Sequence, residues 1–180
     1  LNNSPLTMLV YWGGLSGADA THLGSFDMSL ISNIPNIVYL APTNKEEYLA
    51  MLDWSVEQTK YPVTIRVPFA PLTSSGVEDT TDYSKLNKSK VLEKGEDVAI
   101  LGLGTFAAKA KEVKDALKNQ FGINATLINP VYISGIDKEL LESLKSNHSL
   151  VITLEDGILD GGFGEKVTRF YGNSEMKVLN

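Results

Sequence analysis

Apolar residues along this chain gather into short continuous runs, and between the runs they recur at helical spacing. Runs at 6–12, 37–41 and 62–67 predict strands, and a second set follows at 98–102, 125–128, 150–154 and 176–179. Several are apolar at every position, as in Val98, Ala99, Ile100 and Leu101, where a half-exposed strand would alternate. That pattern belongs to a parallel sheet covered on both faces by helices.

The intervening segments supply the helices. Thr43 and Glu46 have the spacing of a capping box and predict a helix to about residue 58, with Tyr48, Leu49, Leu52 and Val56 inward. Thr105 is placed to cap a helix running to Phe121, with Phe106, Ala110, Val113 and Leu117 on its inner face. Asp137 opens a third helix around Leu140, Leu141 and Leu144, and residues 164–171 form a fourth. Strands alternating with helices in this way imply parallel pairing through right-handed crossovers.

The alternation breaks once. Residues 73–90 are polar with almost nothing to bury, so they predict a linker between a unit at 1–72 and a unit at 91–180. The expected fold is therefore α/β, two three-layer units with mostly parallel sheets. The first unit opens abruptly at Leu1 and offers only about three strands, so further strands are expected upstream or on another chain.

Composition changes this picture little: 43% hydrophobic and 21% charged residues are ordinary for a globular protein. A net charge of −6 argues against a nucleic-acid partner or an anionic membrane surface. The densest basic stretch, 109–118, is interleaved with Glu112 and Asp115 and predicts a solvated helix face. Without cysteine there is no disulfide, no thiolate nucleophile and no cysteine metal site, which fits a cytoplasmic location. No apolar run approaches the ~20 residues of a membrane span.

Candidate chemistry centres on the loop after the first strand, which contains Asp19 and His22 among Gly13, Gly14, Gly17 and Gly24. A loop at a strand's carboxyl end is where open α/β sheets hold ligands. A histidine there can exchange protons near neutral pH, and a nearby carboxylate can orient it. The alternative is a polar loop whose histidine caps a short helix over 26–32. The Gly102-Leu-Gly104 turn imitates a dinucleotide fingerprint but lacks the companion acid at the next strand's end, so a tight strand-to-helix turn is expected. Glu155, Asp156 and Asp160 precede a glycine cluster; a closely packed turn at a subunit interface is expected there, with no metal site. His148 is expected in a surface loop.

Taken together, the stretch from Gly17 to Leu52, the segment "YPVTIRVP", "LGLGTFAAKA" and "LVITLEDGILDGGFGEKV" resemble the transketolase superfamily of thiamine diphosphate enzymes. The likeness is strongest to members that join a pyruvate-derived unit to a phosphorylated aldehyde. It covers nearly the whole chain in the superfamily's order: part of the pyrimidine-binding domain at 1–72, a linker at 73–90, and a carboxy-terminal domain at 91–180, truncated at its end. By this resemblance Asp19 and His22 face substrate, and a histidine that donates to oxygens gaining charge suits the reaction. Trp12, Thr21 and Phe69 are carried over as substrate-pocket positions.

Two arginines that grip the acceptor's phosphate in those relatives are replaced here by Trp12 and Phe69. The loss amounts to several kcal/mol at ~1.5–3 kcal/mol per charge-assisted hydrogen bond. The loop between Asp19 and His22 is also one residue shorter. The resemblance implies thiamine diphosphate and Mg2+, whose main ligands are expected upstream of Leu1. It further implies a homodimer, a missing amino-terminal half or partner subunit, small-molecule substrates and no activity of this chain alone. Two rivals remain: a related ketol or acyl transferase with a non-phosphorylated acceptor, and a non-catalytic assembly module.

Overall fold

The computed structural model describes residues 3–15 and 24–180. A first sheet is formed by β1 (Thr7–Gly13), β2 (Val38–Leu40) and β3 (Val63–Pro68), in the order β1-β3-β2 and wholly parallel. The second contains β4 (Lys90–Glu93), β5 (Asp97–Gly102), β6 (Thr126–Asn129), β7 (His148–Leu154) and β8 (Lys177–Leu179), in the order β4-β6-β5-β7-β8. All pairings in it are parallel except β4 with β6. The helices are α1 (Asp27–Ile31), α2 (Lys45–Glu57), α3 (Phe106–Phe121), α4 (Lys138–Leu144) and α5 (Phe163–Tyr171). The mixed α/β architecture with mostly parallel sheets is the one the apolar runs predict. No helix among the described residues is long and apolar enough to cross a membrane.

Strand periodicity sorts the core. In β5, Val98 and Ile100 pack with Ala110 of α3 on one face, while Ala99 and Leu101 point to the other. That other face is shared by both sheets: Tyr39, Ala41 and Met28 join Leu141, Phe163, Val167 and Tyr171 in one buried cluster. The two sheets are also joined through backbone: Ala41 N–H donates to the Val131 carbonyl at 2.9 Å, and Ile133 N–H to the Tyr39 carbonyl at 2.7 Å. These bonds cover the outer edge of β2. Among the described residues, β1 has a strand neighbour on one side only.

Several local expectations are corrected. The cap of α2 is Asn44, one residue later than the Thr43 capping box; its side chain accepts from Glu47 N–H at 2.9 Å, and the Glu47 carboxylate reaches back to Thr43. The fully buried stripe is Glu47, Met51 and Ser55; of the residues expected inward, Tyr48 and Leu52 pack against the core, while Leu49 and Val56 are exposed. Glu47 tolerates burial because Lys90 Nζ, at 2.8 Å, and Asn129 Nδ2, at 3.0 Å, both donate to it. Thr105 starts α3 without a side-chain cap; Phe106 and Ala107 bond back to Leu103 and Gly104 instead. Asp137 does cap α4, accepting from Leu140 N–H at 3.2 Å. The polar stretch at 73–90 does bury one ring: Tyr83 packs on Trp54 at 6.0 Å between centroids and donates its hydroxyl to Asp79. It leads into β4, which the polar composition of its surroundings concealed. His148 begins β7 rather than lying in a loop, its ring bonded to Thr126 and Asn147.

Candidate functional site

The carboxyl end of β1 is built to turn sharply. At Trp12 the register of β1 against β3 slips, and the residue takes φ of 59°, a left-handed conformation costly for a bulky side chain. The slip re-aims the indole toward Phe69, just beyond β3. The rings meet edge-to-face at 5.4 Å with planes 80° apart, and both are partly exposed (45% and 41%). Two positions distant in sequence are thus brought together, as an aromatic pair at the sheet's carboxyl edge. Asp19, Thr21 and His22 lie outside the described residues, as does Gly17.

The two ends of that loop are described, and they are tied. Gly14 N–H donates to the Gly24 carbonyl at 2.8 Å. There is no room for a side chain at this junction. A Cβ on Gly13 would strike the Arg66 stem, one on Gly14 the Asp156 carboxylate, and one on Gly24 the Trp12 carbonyl. Gly14 additionally has φ of 97°, which only glycine adopts without strain.

Beneath the junction lies Arg66 of β3, 5% exposed. Its Nε donates to Asp27 Oδ2 at 2.7 Å and its Nη2 to Asp27 Oδ1 at 3.2 Å, a bidentate grip on the start of α1. Nη1 donates to Asp156 Oδ1, on the turn after β7, and Nη2 also reaches the Gly24 carbonyl at 3.2 Å. Tyr39 donates its hydroxyl to Asp27. Burial opposes the guanidinium charge, but hydrogen bonds and charge from both aspartates outweigh it, and its pKa is raised. Burial, reinforced by Asp27, pushes the Tyr39 phenol well above its usual range, so it stays a donor.

Sequence reasoning missed Asp27, Arg66 and Asp156 as a group. One signal was available: Arg66 is one of the chain's two arginines and sits inside an apolar strand run, where a charge must find partners. Which partners is a matter of tertiary structure. Two of the acids after β7, Glu155 and Asp156, are likewise accounted for. Glu155 accepts from Phe163 N–H at 2.9 Å and Gly164 N–H at 2.8 Å, closing the start of α5, while burial raises its pKa against those two bonds. Asp156 belongs to Arg66. Among the described residues no group of three or more His, Asp or Glu could hold a metal ion.

Comparison with known proteins adds lineage to this geometry. The family model for transketolase, C-terminal domain, matches residues 87–178. The chain is 38% identical over 168 residues to 1-deoxy-D-xylulose-5-phosphate synthase of Acidobacterium capsulatum, covering 93% of this chain and 26% of that protein. It is 36% identical over 183 residues to the synthase of the same name from Clostridium tetani, covering 100% of this chain and 29% of that protein. The chain therefore spans a little over a quarter of the length of these curated relatives. Among solved structures, a split-gene transketolase described as an inactive beta4 tetramer superposes with a TM-score of 0.80 at 26% identity, over 96% of this chain and 54% of that one. A transketolase variant from Pichia stipitis shares the fold at a TM-score of 0.67 and 20% identity, over 84% of this chain and 23% of that one.

Proposed function

Since this chain belongs to the transketolase family, we propose that it is the carboxy-terminal portion of a 1-deoxy-D-xylulose-5-phosphate synthase-like transferase that joins a pyruvate-derived unit to an aldehyde. The observation that carries this reading is the likeness to that synthase across almost the entire chain, including the glycine-hinged loop after β1. Thiamine diphosphate with Mg2+ is the cofactor the lineage implies. On this reading the metal's ligands belong to an amino-terminal half or partner subunit, since the chain spans only 26% of the relative it matches, and the assembly is a cytoplasmic homodimer.

This chain's own share is the loop. His22 holds the proton that it gives to a substrate oxygen as charge develops there, and Asp19 orients the imidazole. Residues 1–72 are taken as part of a pyrimidine-binding domain, 73–90 as the linker and 91–180 as the carboxy-terminal domain. The second reading, a non-phosphorylated acceptor, is favoured by the ring pair: Trp12 and Phe69 stand edge-to-face where a phosphate grip would need guanidinium groups. A neutral, partly apolar aldehyde fits such a wall better than a dianion.

The test mixes this chain with an amino-terminal partner carrying the metal-diphosphate site, adds pyruvate, and follows carbon dioxide release with glyceraldehyde and with its 3-phosphate. Release in the presence of an aldehyde is expected, faster with the unphosphorylated one, and His22→Ala should lower it by ~10²–10⁴-fold. No release with either aldehyde overturns the transferase reading in favour of an assembly module. A preference for the phosphorylated aldehyde overturns the argument from Trp12 and Phe69.

A further inference from the structure

Where the first unit meets the second, the surface folds into a cavity of about 400 Å³. The first unit contributes the turn between α1 and β2, residues 32–37; the second contributes Asn87, residues 134–136, Lys138 and, from α5, Lys166 and Arg169. Among the described residues, three cations line it and no aspartate or glutamate does. Cations gathered without acids stand out in a chain of net charge −6. Lys166 donates to the Ser32 hydroxyl at 2.6 Å, which engages one of the three N–H bonds of its ammonium group. The side chains of Lys138 and Arg169 have no hydrogen-bond or ion-pair partner among the described residues. The two carboxylates whose charge reaches Lys166 are engaged with backbone: Glu155 closes the start of α5, and Glu165 accepts from Gly161 N–H. Burial, and then the charge of Arg169, lower the Lys166 pKa, and those two acids do not restore it.

We propose that this cavity binds the phosphate or diphosphate group of a small molecule, with Arg169, Lys166 and Lys138 as its ligands. The site stands apart from the transferase reading, since none of its residues belongs to the loop after β1 or to the ring pair. A guanidinium offers a planar fork and an ammonium a compact point charge, and together they match an oxyanion of charge near −2 with several acceptor oxygens. A single carboxylate would leave two of the three positive charges uncompensated. The volume falls within the ~300–1,000 Å³ of small-molecule sites. A neighbouring cavity of about 390 Å³ shares Asn33, Lys166 and Arg169 with it, so the rest of the ligand has room to extend. Gly135 keeps the lining open, because a Cβ there would strike the Asn87 side chain. Ser32 of the first unit holds the Lys166 ammonium in place, so occupancy ties the two units together at this seam.

The test is a calorimetric titration of the chain with pyrophosphate, inorganic phosphate and citrate at about 0.15 M salt, where exposed charges are screened. Pyrophosphate should bind saturably, one per chain, with Kd below ~1 mM, and inorganic phosphate should compete for the same site more weakly. Arg169→Gln and Lys166→Gln should each weaken pyrophosphate binding by ~10–100-fold, the effect of losing one charge-assisted contact. Lys118→Gln, at the exposed end of α3, should leave it within about twofold. Pyrophosphate at about 10 mM should also raise the thermal unfolding midpoint of the unmodified chain and not that of Arg169→Gln. Arg169 is exposed, so this variant keeps the test open if Lys166→Gln does not fold. No saturation by about 10 mM, or an equal loss in Lys118→Gln, means diffuse attraction of anions and overturns the proposal. Binding that survives Arg169→Gln unchanged overturns the placement of the site, and citrate binding as tightly as pyrophosphate overturns phosphate as the ligand class.

Discussion

Asp79 shows how one carboxylate in a polar connecting stretch is put to use. Burial acts to raise its pKa, but hydrogen bonds from Thr81, Tyr83 and Lys90 outweigh burial and hold it below the usual value. A carboxyl whose folded-state pKa is depressed contributes stability above its unfolded pKa of ~3.9 and loses it as pH falls through the folded value. Urea unfolding of the chain and of Asp79→Asn should therefore show the widest gap in stability at neutral pH, narrowing below about pH 4. A gap that stays constant from neutral to acid pH removes Asp79 from the acid response. Arg66 carried a signal as a charge inside an apolar strand run, while Asp79 gave none in a stretch read as a polar linker. The partners of Arg66 lie in segments far apart in sequence, and no local pattern carries that information.

The elements themselves were largely legible, because apolar runs and helical spacing are local. Two of the errors have distinct physical causes. One is a register error: Thr43 and Asn44 are both good caps, and with successive residues about 100° apart the most buried stripe lies one position off, so Leu49 and Val56 face out while Tyr48 and Leu52 still pack inward. The other concerns β4, whose four residues alternate weakly and pair with β6 antiparallel, so only the partner makes the strand. Asn44→Ala tests the corrected cap. It should cost about 1 kcal/mol by denaturant unfolding, whereas Thr43→Ala, which loses the hydroxyl's bond to Glu47 and the one it accepts from Asn44 Nδ2 but leaves the cap itself, should cost less. The reverse order would restore Thr43 as the cap.

Across the whole molecule, the sequence suggested two units with a spacer, while packing makes their cores continuous. Tyr39 of β2 and Ala41 just after it share a buried cluster with Phe163 and Val167 of the second unit, and two backbone hydrogen bonds run between residues 39–41 and the segment after β6. Tyr83 adds a brace from the connecting stretch, its backbone carbonyl accepting the Tyr132 hydroxyl at 2.8 Å. Replacing Tyr83 with alanine should cost ~3–5 kcal/mol, the usual range for a large aromatic truncated in a core. Because the cores are shared, the loss should appear as one displaced unfolding transition seen alike by near- and far-ultraviolet circular dichroism. Two separated transitions would mean that the units unfold independently. The loop bearing Asp19 and His22 was legible as a candidate from its glycines. That its base rests on a contact between the two units was not, because Asp156 and Gly14 are neighbours only after folding.

The outer side of β1 has consequences for the cell that makes this chain. Its amides and carbonyls meet no other strand among the described residues, and Met8 and Tyr11 stand exposed along it. A bare parallel edge of this composition invites pairing with the nearest extended polypeptide, whether a companion, a copy of itself or a misfolded bystander. Whatever polypeptide stands against that strand, joined to it or separate, removes an aggregation hazard as it binds.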